Sequence, residues 1–333
     1  MVQILRRTFI GGAAAAAGAS LVGCREHAPS QLSAQIQRDS QMAQGATAIR
    51  RGYAQIPEGL MHYFEAGKGA PLLLLHPCPR SARSFRALLP LLATHCRAIA
   101  LDIPGFGQSD PLSGEITMER LAAAVVRVLD VLGIDRAHVF GLHTGNKVGA
   151  AMAASHAGRV NRLILCGSIH SIIPDKTTRD AAIRAIVSKY FTQYPESPNG
   201  EQYLRRWFSD WADLCSIALP TSLYAKSPIT PEDIADVQAR VLDHVQALQS
   251  VVATYGANFA FDFGAAIERI SSRTLILELV MPHEEKQYGR QLGAVCARIR
   301  SARGATLENR DGSVVERHPA EVARQIIEFL GEP

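Results

Sequence analysis

Three kinds of site are missing from this chain of 333 residues. Its six cysteines show no CxxC spacing, the pattern typical of structural zinc sites. A Walker-type phosphate loop and a GxGxxG turn after the first strand are also absent, so we expect no metal and no cofactor. Positive charge is sparse, with a formal net charge of +4 and scattered arginines. That distribution argues against a nucleic-acid partner.

The composition is that of a globular protein. Hydrophobic residues make up 47% and charged residues 20% of the chain, which is enough apolar material for a large core. Five cysteines remain beyond Cys24, and an odd number argues against a disulfide framework. The length favours one core with one insertion rather than a single average domain.

The first residues have the character of a targeting segment. Arg6 and Arg7 precede a Gly/Ala run that ends in Leu21-Val22-Gly23-Cys24, and this run is short for a membrane-spanning helix of about 20 apolar residues. The arrangement resembles a twin-arginine export signal joined to a lipoprotein box. The resemblance implies export, cleavage before Cys24, lipidation of Cys24 and a membrane-anchored protein in the periplasm or another extracytoplasmic space. An uncleaved signal anchor and an accidental Cys24 are the alternatives.

After a Gln/Ser/Ala-rich stretch at 25–50, interpreted as a flexible tether, strand-like and helix-like segments alternate. Alternation is typical of an α/β fold with a mostly parallel sheet covered by helices on both faces. The predicted strands are Gly52 to Ile56, Leu60 to Glu65, Pro71 to Leu75, Arg97 to Leu101, Ala137 to Phe140, Arg162 to Cys166, Thr274 to Leu279 and Ala305 to Glu308. The predicted helices are Ala82 to Ala93, Met118 to Leu132, Asn146 to His156, Glu285 to Ile299 and Pro319 to Leu330.

The alternation stops between 168 and 263, where helix-like segments follow one another. This range is predicted to be a helical cap inserted into a core formed by 51–167 and 264–333. Trp207 and Trp211 lie in the insertion with other aromatic residues at helical spacing. They are interpreted either as packing of the cap or as the lining of a substrate pocket.

Three segments resemble the α/β-hydrolase fold family, in the family's order. They are Leu72-Leu-Leu-Leu-His76-Pro77-Cys78-Pro79, then Asp102-Ile-Pro-Gly105-Phe-Gly107-Gln-Ser109-Asp110, then Val139-Phe-Gly141-Leu-His143-Thr144-Gly145. The resemblance implies an eight-stranded α/β-hydrolase fold. It also implies that the last segment is a nucleophile elbow with Gly141 and Gly145 beside its tip, and that the backbone N–H groups of Cys78 and Thr144 form an oxyanion hole.

The tip departs from the family pattern because it is His143 rather than a serine, cysteine or aspartate. The helix that follows disfavours an imidazolium, so we expect a neutral imidazole that acts as base, nucleophile, electrophile or ligand. The other two triad positions depart as well: the closing Gly-His is Gly312-Ser313, and the acid position reads Met281-Pro282-His283-Glu284. Glu278 and Asp175 are the candidate catalytic acids. Glu284, Glu316 and His170 are further candidates for a partner of His143.

The leading functional hypothesis is cofactor-independent hydrolysis of a small hydrophobic ester, lactone or related acyl or carbonyl compound at His143. One alternative is a catalytically silent lipoprotein that binds a small ligand or a partner. Another is a lyase or cofactor-free oxygenase that uses His143 as base. Dehalogenase and epoxide hydrolase chemistry in this family needs a carboxylate at the tip, which His143 does not supply.

Overall fold

The computed structural model describes residues 47–167, 172, 177–178, 180–181, 184–185, 198–201, 203–205, 207, 231–282, 285–286 and 289–332. The predicted signal and nearly all of the predicted tether lie outside these residues, and so do Asp175 and Trp211. No helix in the described ranges has the length and apolar character needed to cross a bilayer.

An eight-stranded sheet forms the centre of the fold, in the order β1-β2-β4-β3-β5-β6-β7-β8. Only β2 runs against its neighbours, because it is antiparallel to both β1 and β4 while every other pair is parallel. The strands are β1 (Arg50–Ile56), β2 (Gly59–Ala66), β3 (Pro71–Leu75), β4 (Arg97–Leu101), β5 (Ala137–Leu142), β6 (Val160–Cys166), β7 (Arg273–Val280) and β8 (Ala302–Glu308). The predicted eight-stranded, mostly parallel α/β-hydrolase fold is confirmed.

Both faces of the sheet are covered by helices. Leu73 and Leu75 of β3 pack into one apolar cluster and Leu72 and Leu74 into the other, so this strand is buried on both sides. Such burial explains the unbroken apolar run in the sequence. The α-helices are α1 (Leu89–Leu92), α2 (Met118–Val131), α3 (Thr144–Ser155), α4 (Pro231–Ala247), α5 (Val251–Ala260), α6 (Phe263–Glu268), α7 (Leu292–Cys296), α8 (Val314–Arg317) and α9 (Pro319–Gly331). Two 3₁₀ helices cover Ala82–Phe85 and Ala157–Arg159.

Two predicted helices are wrong in extent. The prediction Ala82 to Ala93 separates into the first 3₁₀ helix and α1. The prediction Glu285 to Ile299 is interrupted by the non-helical residues 289–291 before α7 begins. At that interruption the backbone N–H groups of Gln291 and Leu292 donate to Glu278 Oε1, at 2.6 and 3.1 Å. The buried carboxylate of Glu278 thus lies at the point where the predicted continuous helix is interrupted.

The connections reverse direction at β3. The chain passes from β3 to β4 on one side and then returns to β5 on the other side. In sheets of this type, a crevice for ligands lies beyond the carboxyl ends of the strands at such a reversal. The segments that follow β3 and β5 are therefore the first place to look for a functional site.

Candidate functional site

His143 alone connects β5 to α3, and it bends the backbone sharply. Its φ is 49° and its ψ is −109°, in a region that non-glycine residues rarely occupy. Its backbone N–H donates to the carbonyl of Cys166 at 2.9 Å, and its own carbonyl accepts from the N–H of Asn146 at 3.0 Å. A residue held in such a conformation costs about 1–3 kcal/mol, which the surrounding contacts must offset.

The two glycines beside the bend allow close backbone contact. A Cβ atom at Gly145 would lie 2.1 Å from the carbonyl oxygen of Leu75, and one at Gly141 would lie 2.4 Å from the carbonyl oxygen of Gly145. The start of α3 is therefore in direct contact with the end of β3. This contact brings the loop after β3, which contains Cys78, next to the bend.

The imidazole of His143 lies at the carboxyl edge of the sheet and not in either apolar cluster. The side chain is half-buried. A Cβ atom at Gly167, directly after β6, would lie 2.9 Å from its Cε1, and one at Gly312, in the loop after β8, would lie 2.7 Å from its Nε2. The ring thus occupies a space between two loops, and both loops have a glycine at the point of contact.

Two backbone N–H groups lie on either side of the contact between β3 and α3. They belong to Thr144, the first residue of α3, and to Cys78. Within the part of the chain that the structure describes, neither N–H group donates a hydrogen bond to the protein. This is the arrangement expected of donors that serve a bound oxygen atom.

The loop that contains Cys78 is held in place from both sides. His76 donates from Nδ1 to the carbonyl of Pro77 at 3.0 Å and accepts from the N–H of Ile103 at Nε2 at 2.9 Å. An accepting Nε2 means a neutral ring, and burial lowers the pKa of His76 accordingly. On the other side, the Tyr255 hydroxyl of α5 donates to the carbonyl of Cys78 at 3.2 Å. Nothing in the sequence pattern had singled out Tyr255.

The thiol of Cys78 has the properties of a small apolar group. The residue is half-buried and packs against one of the two apolar clusters. Burial raises the pKa of the Cys78 thiol well above its ordinary value. A thiolate nucleophile is therefore not favoured at this position.

The described acidic candidates have other partners. Glu278 is buried, and its carboxylate accepts from the N–H groups of Gln291 and Leu292 at the start of α7. Glu316 of α8 pairs with Arg80 and Arg240. Asp175, His170 and Glu284 lie outside the described residues, and so do the pocket candidate Trp211 and the lipidation candidate Cys24. The roles assigned to Glu278 and Asp175 stay predictions.

Residues near the C-terminus are arranged differently from a Gly-His loop. His318 is exposed and immediately precedes α9. Ser313 donates through its hydroxyl to Asp311 at 2.5 Å. Of the two tryptophans predicted to line a pocket in the cap, Trp207 is described, and its side chain is half-buried.

A group of ionic side chains, which we call the clamp, joins three segments around the loop of Cys78. Arg80 donates to Asp243 of α4 at 3.1 Å and to Glu316 of α8 at 2.5 Å. Arg240 of α4 shares Glu316 at 2.8 Å. The Ser81 hydroxyl also donates to Asp243, at 2.7 Å. Because the Asp243 side chain is fully buried, its negative charge must be stabilised by these partners instead of by water.

Comparison with known proteins gives a consistent fold. The α/β-hydrolase fold profile matches residues 70–204. The chain is similar to 2-hydroxy-6-oxononadienedioate/2-hydroxy-6-oxononatrienedioate hydrolase 2 of Pseudomonas putida, with 34% identity over 34% of this chain and 44% of that protein. It is also similar to the soluble epoxide hydrolase of Corynebacterium sp. (strain C12), with 34% identity over 38% of this chain and 45% of that protein. The chain spans less than half the length of these two curated relatives.

A solved structure extends the similarity over most of the chain. A hydrolase from Pseudomonas aeruginosa PA01 superposes with a TM-score of 0.64 and 23% identity, covering 85% of this chain and 99% of that one. At this identity the likeness concerns the fold.

Proposed function

The chain has the α/β-hydrolase fold, and on that premise we propose that it hydrolyses a small hydrophobic ester, lactone or related acyl compound at His143, without a cofactor. The observation that carries the proposal is the position of the imidazole. It projects from the strand–helix bend into the space between Gly167 and Gly312, and the N–H groups of Thr144 and Cys78 have no acceptor among the described residues.

In the proposed reaction His143 is a general base. The neutral imidazole removes a proton from water while the water oxygen bonds to the acyl carbon. The carbonyl oxygen becomes an oxyanion, which the N–H groups of Thr144 and Cys78 stabilise. The tetrahedral species then expels the alkoxide, which takes the proton back from the imidazolium. Every proton is returned, so the cycle needs no other reagent than water.

The position of His143 at the start of α3 supports this role. Partial positive charge at a helix N-terminus disfavours the imidazolium, so the resting ring is ready to accept a proton. Direct attack by a ring nitrogen on the acyl carbon is the other route to the same products. It passes through an acyl-imidazole adduct, which mass spectrometry of acid-quenched protein would detect.

The test uses a panel of short-chain and aromatic esters, lactones and amides, with proton release followed at constant pH. His143→Asn removes the base but keeps a residue that tolerates positive φ. We expect turnover to fall by about 100-fold or more, the usual contribution of a positioned base, while the melting temperature stays near that of the wild type. Unchanged turnover in this variant would remove His143 from the reaction.

A serine-directed fluorophosphonate gives an independent check. The proposal predicts no labelling at the bend, because there is no serine there. Labelling of Ser313 would show that the reactive group has been assigned to the wrong residue. A panel without turnover, combined with saturable binding of a small apolar ligand, would instead favour a binding lipoprotein. Carbon–carbon cleavage or oxygen uptake that requires His143 would favour a lyase or oxygenase.

The location of the protein belongs to the same proposal, and it rests on the sequence of the first 24 residues. Export through a twin-arginine signal and lipidation at Cys24 would place the enzyme on a membrane in an extracytoplasmic compartment. In a bacterial host, we expect the wild type to partition into the detergent phase of Triton X-114 and Cys24→Ser to stay in the aqueous phase. Lysine at both Arg6 and Arg7 should retain the protein in the cytoplasm. Equal partitioning of the wild type and Cys24→Ser would contradict lipidation.

A further inference from the structure

A cavity lies at the β1 side of the sheet, and none of the residues around His143 lines it. It is enclosed by β1, β2, the Ala82–Phe85 helix and the turn after β4, and its volume is about 190 Å³. That volume corresponds to about six water molecules at 30 Å³ each, enough for one tetrahedral oxyanion.

Three arginines line this cavity without carboxylate partners. Arg51, Arg83 and Arg86 form no ion pair with any acidic residue in the described ranges, and only Arg51 has an aromatic contact, with its guanidinium 5.7 Å from the ring centre of Phe64. The adjacent Arg50 behaves differently, because it pairs with Glu65 at 3.0 Å. Arg51 and Arg86 are exposed and Arg83 is half-buried, so their guanidinium groups are open to an incoming anion.

A buried imidazole forms part of the wall of the same cavity. His62 lines it and is only 1% exposed. Its Nδ1 lies 2.7 Å from Oδ2 of Asp102, whereas its Nε2 is buried and has no hydrogen-bond partner among the described residues. An unsatisfied buried polar atom of this kind costs about 1–3 kcal/mol. A bound molecule that bonds to Nε2 would recover that free energy.

Among the described residues that line the cavity, Asp102 is the only acid, and its oxygen atoms are already engaged. Oδ1 accepts from the N–H of Ala82 at 2.6 Å, and Oδ2 accepts from His62 and from the N–H of Gln108 at 2.9 Å. The cavity wall therefore has three guanidinium charges against one carboxylate that is fully hydrogen-bonded. An anion entering the cavity meets an excess of positive charge.

We propose that this cavity binds a phosphate-class oxyanion, which three guanidinium groups attract and the Nε2 of His62 contacts. A tetrahedral phosphate fits better than a carboxylate because its oxygens point in several directions, and the donors come from two strands and a helix. Nε2 donates to a phosphate oxygen when the ring is protonated and accepts from a P–OH group when it is neutral. The shared chemistry is a phosphate group, free or in a lipid headgroup.

The first experiment measures inorganic phosphate binding to the full-length protein by calorimetry and by thermal shift, with chloride at equal ionic strength as reference. The variant combines Arg83→Gln, at a half-buried position, and Arg86→Gln, at an exposed one. Arg324→Gln, an exposed arginine of α9 that pairs with Glu328, is the matched control. We expect saturable binding in the wild type and in the control, and at least tenfold weaker binding in the double variant. No phosphate-specific shift in the wild type, or an equal shift in the double variant, would overturn the proposal.

A second arm identifies the source of the phosphate. Sedimentation with phosphatidylglycerol vesicles, compared with phosphatidylcholine vesicles, is measured for the wild type and for the double variant. Vesicle binding that free phosphate competes away and the double variant loses assigns the cavity to a lipid headgroup. Free phosphate binding without such vesicle binding assigns it to soluble phosphate compounds. Both results support the site, and because neither measures turnover, they are independent of the hydrolysis proposed for His143.

Discussion

The imidazole of His143 and the backbone of Gly312 occupy adjoining space at the carboxyl edge of the sheet. A Cβ atom at Gly312 would lie 2.7 Å from Nε2 and 2.9 Å from Cδ2 of that ring. Glycine at position 312 therefore leaves room for the His143 ring, which any larger side chain would displace. The two residues lie far apart in the sequence, so their contact reports directly on how the site is assembled.

Gly312→Ala should therefore displace the ring and reduce turnover by about 100-fold, the scale expected when a catalytic group moves by 1 Å. The cost in stability should depend on His143. In a His143→Asn background the shorter side chain leaves room for the methyl group, so the coupling free energy between the two sites should reach about 0.5–3 kcal/mol. Chemical unfolding of the four proteins measures it, and equal costs in both backgrounds would contradict the contact.

Gly145 and Gly149 form a matched pair within α3. A Cβ atom at Gly145 would lie 2.1 Å from a backbone oxygen, whereas one at Gly149 would meet side-chain carbons at 3.4 Å, an ordinary contact. Gly149→Ala should be neutral or stabilise by up to about 1 kcal/mol, since alanine is favoured within helices. Gly145→Ala should destabilise by about 4 kcal/mol or more, or prevent folding. Similar melting temperatures for the two variants would argue against the close contact.

Tyr255→Phe removes the hydroxyl that donates to the carbonyl of Cys78. We expect a loss of about 0.5–1.5 kcal/mol in stability, typical of one hydrogen bond. Because the Cys78 N–H would be less well fixed, kcat should fall while KM changes little. Tyr53→Phe is the control, since its hydroxyl donates to Gln108 away from the bend. A change in KM alone would indicate a role in substrate binding rather than in positioning.

The clamp predicts unequal effects for two aspartates of α4. The Asp243 side chain is fully buried, while the Asp236 side chain is 38% exposed. Asp243→Ala leaves Arg80 with a partly unpaired charge and should cost about 3–5 kcal/mol. Asp236→Ala removes a surface pair and should cost at most about 1 kcal/mol. Urea unfolding measures both values, and comparable costs would mean that the clamp contributes little to stability.

Asp102 predicts a particular dependence of stability on pH. Burial alone would raise its pKa, but hydrogen bonds from His62 and from backbone N–H groups outweigh burial and lower it. A lowered pKa in the folded state means that Asp102 stabilises the protein above about pH 4 and that this contribution disappears as the pH falls further. The difference in unfolding free energy between the wild type and Asp102→Asn should therefore be largest near neutrality and shrink in acid. A difference that grows in acid would contradict the ionised state of Asp102.

The strands could be predicted from sequence because the sheet is buried on both faces. Leu72 to Leu75 and Ala98 to Leu101 are continuous apolar runs between turns, and each predicted strand begins and ends within three residues of the observed one. The bend at His143 could be located because glycines stand at fixed spacing on both sides of it. Local spacing and periodicity carry this information along the chain.

Contacts between distant segments could not be predicted in the same way. Glu278 stands out in the sequence as an acid in an apolar run. Its partners are backbone N–H groups, which every non-proline residue has, so the sequence does not identify them. Arg80, Asp243 and Glu316 are separated by more than seventy residues from one another, and each alone resembles a surface charge. Tyr255 reaches Cys78 only because α5 lies over the loop after β3. Such pairs depend on the tertiary arrangement.

The left-handed backbone at position 143 also restricts which residues this position can tolerate. Branched side chains such as valine and isoleucine are strained at positive φ, whereas glycine, asparagine, aspartate and histidine adopt it more readily. In a saturation library at this position, valine and isoleucine should therefore be rare among folded variants, and the four residues of that group should be common. Within the group, histidine alone exchanges a proton near neutral pH at its ordinary pKa. A histidine side chain thus combines a tolerance of positive φ with an ability to exchange protons near neutral pH. Any substitution at this position should lose one of these two properties.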